Sequence, residues 1–329
     1  MQTATIFSTG MYVPEKIIRN EYFDQLYNED IDTWLKEHVQ IYERHWCSPE
    51  ESTADLAYAA GQQAVQNGNI SADQIDLIIV ATDTPEYISP STAAVVQHRL
   101  QATNAGTFDL NSACAGFVTA LDLAAKYIQA DSRYRFILVI GAYAMSKYLN
   151  TEDKKTATLF ADGAGAVLLK SENETDAGWK TGILKTEGQY HDWMGIYAGG
   201  TKKPIDATAL ANHTNQLQFV RKFPKSINPD VWTELIQSMA DQLKITLNEV
   251  DYFFITQINI YSIWETLDRL NIVREKAHTI MHYYGYTGSA CIPMALHDAF
   301  EKEKIKKGDL VFFIGSGGGL AFAATAFRL

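Results

Sequence analysis

Apolar positions along the chain fall into two alternating patterns. Mostly apolar runs of strand length, Ile75-Asp-Leu-Ile-Ile-Val-Ala-Thr82 and Arg135-Phe-Ile-Leu-Val-Ile-Gly141, are what a sheet covered on both faces requires. Residues 4–8 predict a first strand, and 21–36 a largely helical region with Trp34 near its end. Ser52 predicts a helix cap, because Asp55 lies three residues later and Gly68 stands where the helix must stop. A further helix is expected near 91–100. Strands and helices therefore alternate, which predicts an α/β fold with a mostly parallel sheet.

The pattern then recurs. Val250-Asp-Tyr-Phe-Phe-Ile-Thr256 repeats Ile75-Asp-Leu-Ile-Ile-Val-Ala81, and Leu310-Val-Phe-Phe-Ile-Gly315 repeats Phe136-Ile-Leu-Val-Ile-Gly141 at an offset of 174 (315 − 141). Two runs matching in nearly one register imply an internal duplication. Under that offset Cys114 maps to about Gly288, where Tyr284-Gly-Tyr-Thr-Gly-Ser-Ala290 leads into an apolar helix over 292–300. If the halves pack about a pseudo-twofold axis, the strand ends near Thr82 and Thr256 converge with the turns near Cys114 and Tyr286, because ligands bind beyond the carboxyl ends of such strands.

Cys114 is the candidate nucleophile. It opens an apolar helical run with Phe117, Leu121, Leu123 and Ala124, so it should sit at a helix N-terminus, where free N–H groups and the helix dipole favour a thiolate. The competing reading is a small buried core cysteine. Cys47 and Cys291, the other two cysteines, read as core or surface residues.

Composition narrows the classes. With 329 residues and 47% hydrophobic content the chain has ample material for a packed core. Its net charge of −11 argues against general affinity for nucleic acid or anionic membrane. Three cysteines without metal-ligand spacing, no basic-then-apolar leader and no run of spanning length together lead to the expectation of a cytoplasmic protein without disulfides or metal.

With these residues in view, the chain resembles the thiolase-fold condensing enzymes, and most closely the β-ketoacyl carrier-protein synthase III family. The resemblance covers almost the whole chain and rests on Tyr42-Glu-Arg-His45, Ala81-Thr-Asp-Thr-Pro-Glu-Tyr87, Asn111-Ser-Ala-Cys-Ala-Gly-Phe117, Phe160-Ala-Asp-Gly-Ala-Gly-Ala166 and Gly315-Ser-Gly-Gly-Gly319. It implies a thiolase-like αβαβα sandwich of two duplicated halves, 1–172 carrying the nucleophile and 173–329, with 187–228 capping the acyl site. It also implies that Cys114 takes an acyl group from coenzyme A or an acyl carrier protein, with the N–H groups of Cys114 and Gly318 holding the carbonyl oxygen. No permanently bound cofactor is expected, only the phosphopantetheine thioester as substrate. A homodimer is expected, with a mixed dimer as the variant.

The departures from the family pattern are informative. Where the family places a histidine and an asparagine that support decarboxylation, this chain has Thr256 and Tyr286. Neither supplies an imidazolium or a neutral bidentate amide. Trp34 matches the adenine-stacking tryptophan, but two expected arginines are His38 and Tyr261, the latter after Gln-Ile-Asn259. Lys154 is near a further basic position of the family. Ser89 stands where a bulky phenylalanine commonly closes the partner's acyl pocket, so a longer or bulkier acyl group is expected, with Glu86 and Tyr87 on the same pocket-forming segment. His282 is the best substitute base, followed by His191 and His213. Three functions follow as expectations: an acyltransferase that passes the Cys114 acyl group to an acceptor in fatty-acid-related or polyketide-like metabolism, a decarboxylating synthase with a rearranged site, and an auxiliary subunit without catalysis.

Overall fold

Two sheets enclose a pair of buried helices. The computed structural model describes residues 2–173 and 176–329. The first sheet has the strand order Gln2–Tyr12, Asp162–Asn173, Phe136–Ala144, Leu77–Ala81, Gly106–Leu110. The second runs Tyr252–Ile255, Leu310–Gly317, Ala321–Arg328, Gly178–Thr186. All five residues of Leu77–Ala81 are buried, as the unbroken apolar run requires.

The expected mostly parallel sheet is corrected. Leu77–Ala81 is parallel to both its neighbours, and Tyr252–Ile255 to Leu310–Gly317, but the remaining pairings in both sheets are antiparallel. A strand buried on both faces reads as the same apolar run whichever way it points. Direction is set instead by connections such as the tight return from Leu310–Gly317 into Ala321–Arg328.

The central helices, Gly116–Ala130 and Cys291–Glu301, each touch strands of both sheets. Thr53–Asn67 packs on the outer face of the first sheet and Ile227–Leu243 on that of the second, completing five layers. The Asp55 carboxylate accepts from the Ser52 N–H at 2.8 Å and its hydroxyl at 2.7 Å, forming the expected cap. The predicted helix over 21–36 is two helices, Asn20–Tyr27 and Ile31–His38. The first ends at Asn28 in the left-handed region, and Asp30 caps the second through the Thr33 N–H at 3.0 Å.

The repeat seen in sequence has a packing counterpart. A Cβ on Gly141 would lie 2.3 Å from the Ser289 carbonyl oxygen, and one on Gly315 would lie 3.0 Å from the Ala115 Cα. Each half thus thins one strand so that the other half's central helix can approach the sheet, at positions related by the sequence offset. Among the described residues the second sheet has no counterpart to Gly106–Leu110; Ala277 makes only a bridge to Phe253 there. No helix among the described residues is long and apolar enough to cross a membrane.

Candidate active site

The turn before the Gly116–Ala130 helix carries the thiol. Ala113 adopts a left-handed backbone at φ 46°, a conformation costing a non-glycine residue about 1 kcal/mol or more. It delivers Cys114 just ahead of the N-cap Ala115. A Cβ on Gly317 would meet the Cys114 nitrogen at 2.4 Å, so the C-terminal glycine segment lies directly over the nucleophile turn.

Cys114 is 3% exposed and borders two cavities. The larger, about 970 Å³, runs from the surface at Trp34 and Tyr261 past Phe219 and Phe223 to the thiol. The smaller, about 280 Å³, also borders Cys114 and is lined by Asp83, Asn111, Tyr143, His191 and Tyr197. Gly318 borders both.

Burial pushes the Cys114 thiol well above its usual range, and the Asp83 charge adds to this. The expectation of a favoured thiolate at a helix N-terminus is therefore corrected for the unliganded chain: desolvation outweighs the helix end. The opposing influence is the neighbouring Tyr286 hydroxyl, which favours the thiolate. Tyr286 is 2% exposed, packs on Phe160 at 5.4 Å between ring centroids, and its carbonyl accepts from the Ala161 N–H at 2.9 Å. The Phe160-Ala-Asp-Gly motif thus holds the Tyr286 turn in place. Asp162 of that motif accepts from the Cys47 N–H at 2.7 Å and the Ser146 N–H at 2.8 Å, a structural use.

Thr256 is buried on the wall of the larger cavity, and its hydroxyl accepts from the Ser316 N–H at 2.9 Å. That bond ties the strand end to the glycine segment over Cys114. Asn259 also borders this cavity, but its side chain caps the Ile260–Arg269 helix by accepting from the Tyr261 N–H at 2.9 Å. The Tyr261 hydroxyl donates to the Glu37 carbonyl at 2.6 Å, closing one side of the mouth opposite Trp34, which is 50% exposed. His38 stands beside Trp34, their rings 5.4 Å apart.

Several expected residues lie elsewhere. His282 borders neither cavity: its Nδ1 is 2.7 Å from the Gln40 carbonyl oxygen and its ring stacks on Tyr42 at 5.6 Å, so it is corrected from substitute base to structural residue. His213 pairs with Gln216 on the surface. His191 is the histidine that reaches the Cys114 side, on the smaller cavity. Lys154 forms a surface ion pair with Glu29 at 2.6 Å and does not border the larger cavity. The Glu86 carboxylate accepts from the Ala54 N–H at 2.9 Å, at the start of the Thr53–Asn67 helix. With Tyr87 and Ser89 it lies outside both cavities of this chain, on a loop whose Ile88 is 88% exposed. Cys47 and Cys291 are buried core residues, and burial raises the Cys291 thiol to about 12.

Sequence reading missed two groups of residues. Lys222 and Lys225 border the larger cavity and make no ion pair among the described residues. They sit in a segment without periodicity, where no pattern distinguishes a tunnel lysine from a solvated one. Asp83, quoted only as part of a motif, is the other. An acid ending an unbroken apolar strand was the available signal.

Comparison with known proteins agrees with this architecture. The sequence pattern of 3-oxoacyl-[acyl-carrier-protein (ACP)] synthase III matches residues 108–188, and that of its C-terminal part matches 240–329. The chain is 36% identical over 330 residues to a β-ketoacyl-[acyl-carrier-protein] synthase III of Clostridium perfringens, covering 100% of both. The crystal structure of the 3-oxoacyl-[acyl-carrier-protein] synthase III of Aquifex aeolicus superposes with a TM-score of 0.88 at 30% identity, covering 99% of this chain and 100% of that one. Another 3-oxoacyl-(acyl-carrier-protein) synthase III structure reaches a TM-score of 0.93 at 26% identity, with 99% and 100% coverage. A thiolase-like sandwich, a buried thiol at the end of a tunnel and similarity along the full chain lead to one conclusion: this protein belongs to the 3-oxoacyl-[acyl-carrier-protein] synthase III family of acyl-transferring condensing enzymes.

Proposed function

We propose that Cys114 accepts an acyl group from a coenzyme A or acyl-carrier thioester entering by the larger cavity, and passes it to an acceptor that needs no decarboxylation. In the first step the Cys114 sulfur attacks the thioester carbonyl carbon. The carbon–sulfur bond to the donor breaks, and the donor thiol leaves with the proton that Cys114 gives up. The N–H groups of Cys114 and Gly318 hold the carbonyl oxygen as it gains charge. Trp34 and Tyr261 flank the nucleotide or carrier arm at the mouth, and Lys222 and Lys225 supply cations for its phosphates in place of the two absent arginines.

The observation that carries this reading is the state of Thr256. Its hydroxyl accepts from the Ser316 N–H at 2.9 Å, which ties it to the glycine segment, and a threonine offers one O–H where the family pattern has a histidine paired with an asparagine. The Tyr286 hydroxyl lies beside the Cys114 thiol and favours its thiolate. Stabilisation of an enolate by a paired donor set is therefore weak, while thiol acylation retains its oxyanion donors. Intact-protein mass spectrometry with a panel of acyl thioesters tests this. The wild-type chain should gain one acyl mass and Cys114→Ala none, and carbon dioxide release from malonyl thioesters should be slower by about 10² to 10³ per missing donor than in a family member with the His/Asn pair. Acyl mass on Cys114→Ala, or decarboxylation at that member's rate, overturns the reading.

We also propose a homodimer built on the free edge of Gly106–Leu110, the outermost strand of the first sheet, next to the exposed loop at Ile88. Light scattering should give about twice the chain mass. A monomer with full acyl transfer overturns it.

A further inference from the structure

Where the family pattern has an asparagine, this chain has the phenol of Tyr286, and the two groups differ in what they do with a proton. An asparagine amide donates hydrogen bonds and keeps its protons, whereas a tyrosine hydroxyl both donates and accepts, so it can take one proton while it gives up another. Tyr286 is 2% exposed and borders the larger cavity together with Cys114, Thr256 and Gly318. It therefore stands where a donor thioester in that cavity meets the thiol.

The turn that carries this phenol is fixed from behind. The Tyr286 N–H donates to the Leu159 carbonyl at 3.0 Å, the Ala161 N–H donates to the Tyr286 carbonyl at 2.9 Å, and the Phe160 ring packs against the Tyr286 ring. Gly285, just before it, has φ +67°, and a Cβ there would lie 2.6 Å from the Arg44 Cβ and 2.9 Å from the Ala161 Cβ. The fully buried Arg44 guanidinium donates to the Thr158 carbonyl at 2.8 Å, tying down the segment on which the turn rests. A group held in this way needs no reorganisation to act on a bound substrate.

The proton of Cys114 gives the phenol a task. Burial pushes the thiol well above its usual range and pushes the Tyr286 hydroxyl above its own, so both are neutral in the resting chain. The ionisable side chains with the largest effects on the thiol are Asp83, Tyr286 and Cys291; Asp83 and Cys291 oppose its ionisation, and Tyr286 favours it. His191 borders the smaller cavity and not the larger one. A thiolate formed in advance is a costly buried charge. The proton must leave the sulfur as the new bond forms, and the departing donor sulfur needs one at the same stage.

We propose that Tyr286 is the catalytic proton carrier of Cys114 acylation. As the Cys114 sulfur bonds to the thioester carbonyl carbon, its proton passes to the Tyr286 oxygen. As the carbon–sulfur bond to the donor breaks, the phenolic proton of Tyr286 passes to the donor sulfur, which leaves as a neutral thiol. Tyr286 is neutral before and after, so no charge is left in the buried site. The proposal rests on Cys114 being the acylated residue and supplies the route of the proton that it gives up.

Tyr286→Phe keeps the ring and the turn and removes only the hydroxyl. The test reads acyl mass gained per unit time at saturating donor, using acetyl-, butyryl- and octanoyl-coenzyme A and the S-phenyl thioesters of the same acids. A phenylthiolate departs without a proton far more readily than the alkyl thiolate of coenzyme A. With the coenzyme A donors Tyr286→Phe should acylate at least about 10²-fold more slowly than wild type, the contribution of a positioned acid–base group, and with the phenyl donors the loss should be about 10-fold or less. A packing role for Tyr286 slows both donor types alike. That result, or wild-type rates with the coenzyme A donors, overturns the proposal while Cys114 acylation stands. If Tyr286→Phe does not fold, wild type decides: it should load no more slowly from the coenzyme A donors than from the phenyl donors, and a slower rate overturns the proposal. No acyl mass on Cys114 from any donor overturns this proposal and the acyl-transfer reading together.

Discussion

The two halves of the chain each place a polar residue just past a core parallel strand and use it in opposite ways. Gln257, two residues past the strand Tyr252–Ile255 as Asp83 is two residues past Leu77–Ala81, is fully buried and well partnered: it accepts from the Ile280 N–H at 2.8 Å and the Met281 N–H at 3.2 Å, and donates to the His278 carbonyl at 3.1 Å. Asp83 keeps an unpartnered oxygen beside Cys114. Likewise Cys114 corresponds to Gly288, where φ is +49° and a Cβ would lie 2.5 Å from the Tyr143 ring. The second half has given up a side chain there so that Tyr143 can stand against the thiol. At its strand end the second half partners the polar side chain and supports the site. At its strand end the first half leaves an Asp83 oxygen unpartnered beside Cys114, a pattern that functional sites carry at a cost in stability.

The largest way to break the comparison is at the glycine pair. Gly141→Ala sets a Cβ 2.3 Å from a backbone oxygen that cannot swing away, so the urea midpoint should fall by the equivalent of about 3 kcal/mol or more. Gly315→Ala, with 3.0 Å to a backbone carbon, should lose about 1 kcal/mol. Equal losses would show that the two helix-to-sheet approaches are not tightened unequally.

The strand-end pair comes next, with effects of opposite sign. Gln257→Leu strips two N–H groups and a carbonyl of their partners and should cost about 3 kcal/mol by denaturant unfolding. Asp83→Asn should stabilise the chain. The folded carboxyl titrates at about 6 against roughly 3.9 when unfolded, so its favourable contribution is complete below about pH 4 and is lost as pH rises through 6. Above pH 7 the variant should be more stable by about 1–2 kcal/mol after allowance for partial exposure, and the two proteins should converge near pH 4. A constant difference across that range would show that Asp83 does not change its protonation environment on folding.

Much of this was legible in the linear pattern. The apolar runs located the core strands, the Ser52 and Asp55 pair located a cap, and the repeat of Phe136-Ile-Leu-Val-Ile-Gly141 at 310–315 located the duplication, because burial and capping depend on neighbours close in sequence. The motif around Cys114 located the thiol at a strand-turn-helix junction for the same reason.

What the tertiary structure alone decided depends on neighbours brought together from far along the chain. Strand direction was not readable, since an apolar run has no polarity. The protonation of Cys114 was decided by burial from both halves, which overrode the local helix end. His282 is near Tyr286 in sequence, yet its ring is held by Gln40 and Tyr42, whereas Lys222 and Lys225 reach the tunnel from a segment without pattern. Asp83 is an ordinary acid in sequence. It becomes an orphan only because Cys114, Tyr143 and the 191–197 segment close around it and bring no cation with them, and that arrangement belongs to the packed molecule.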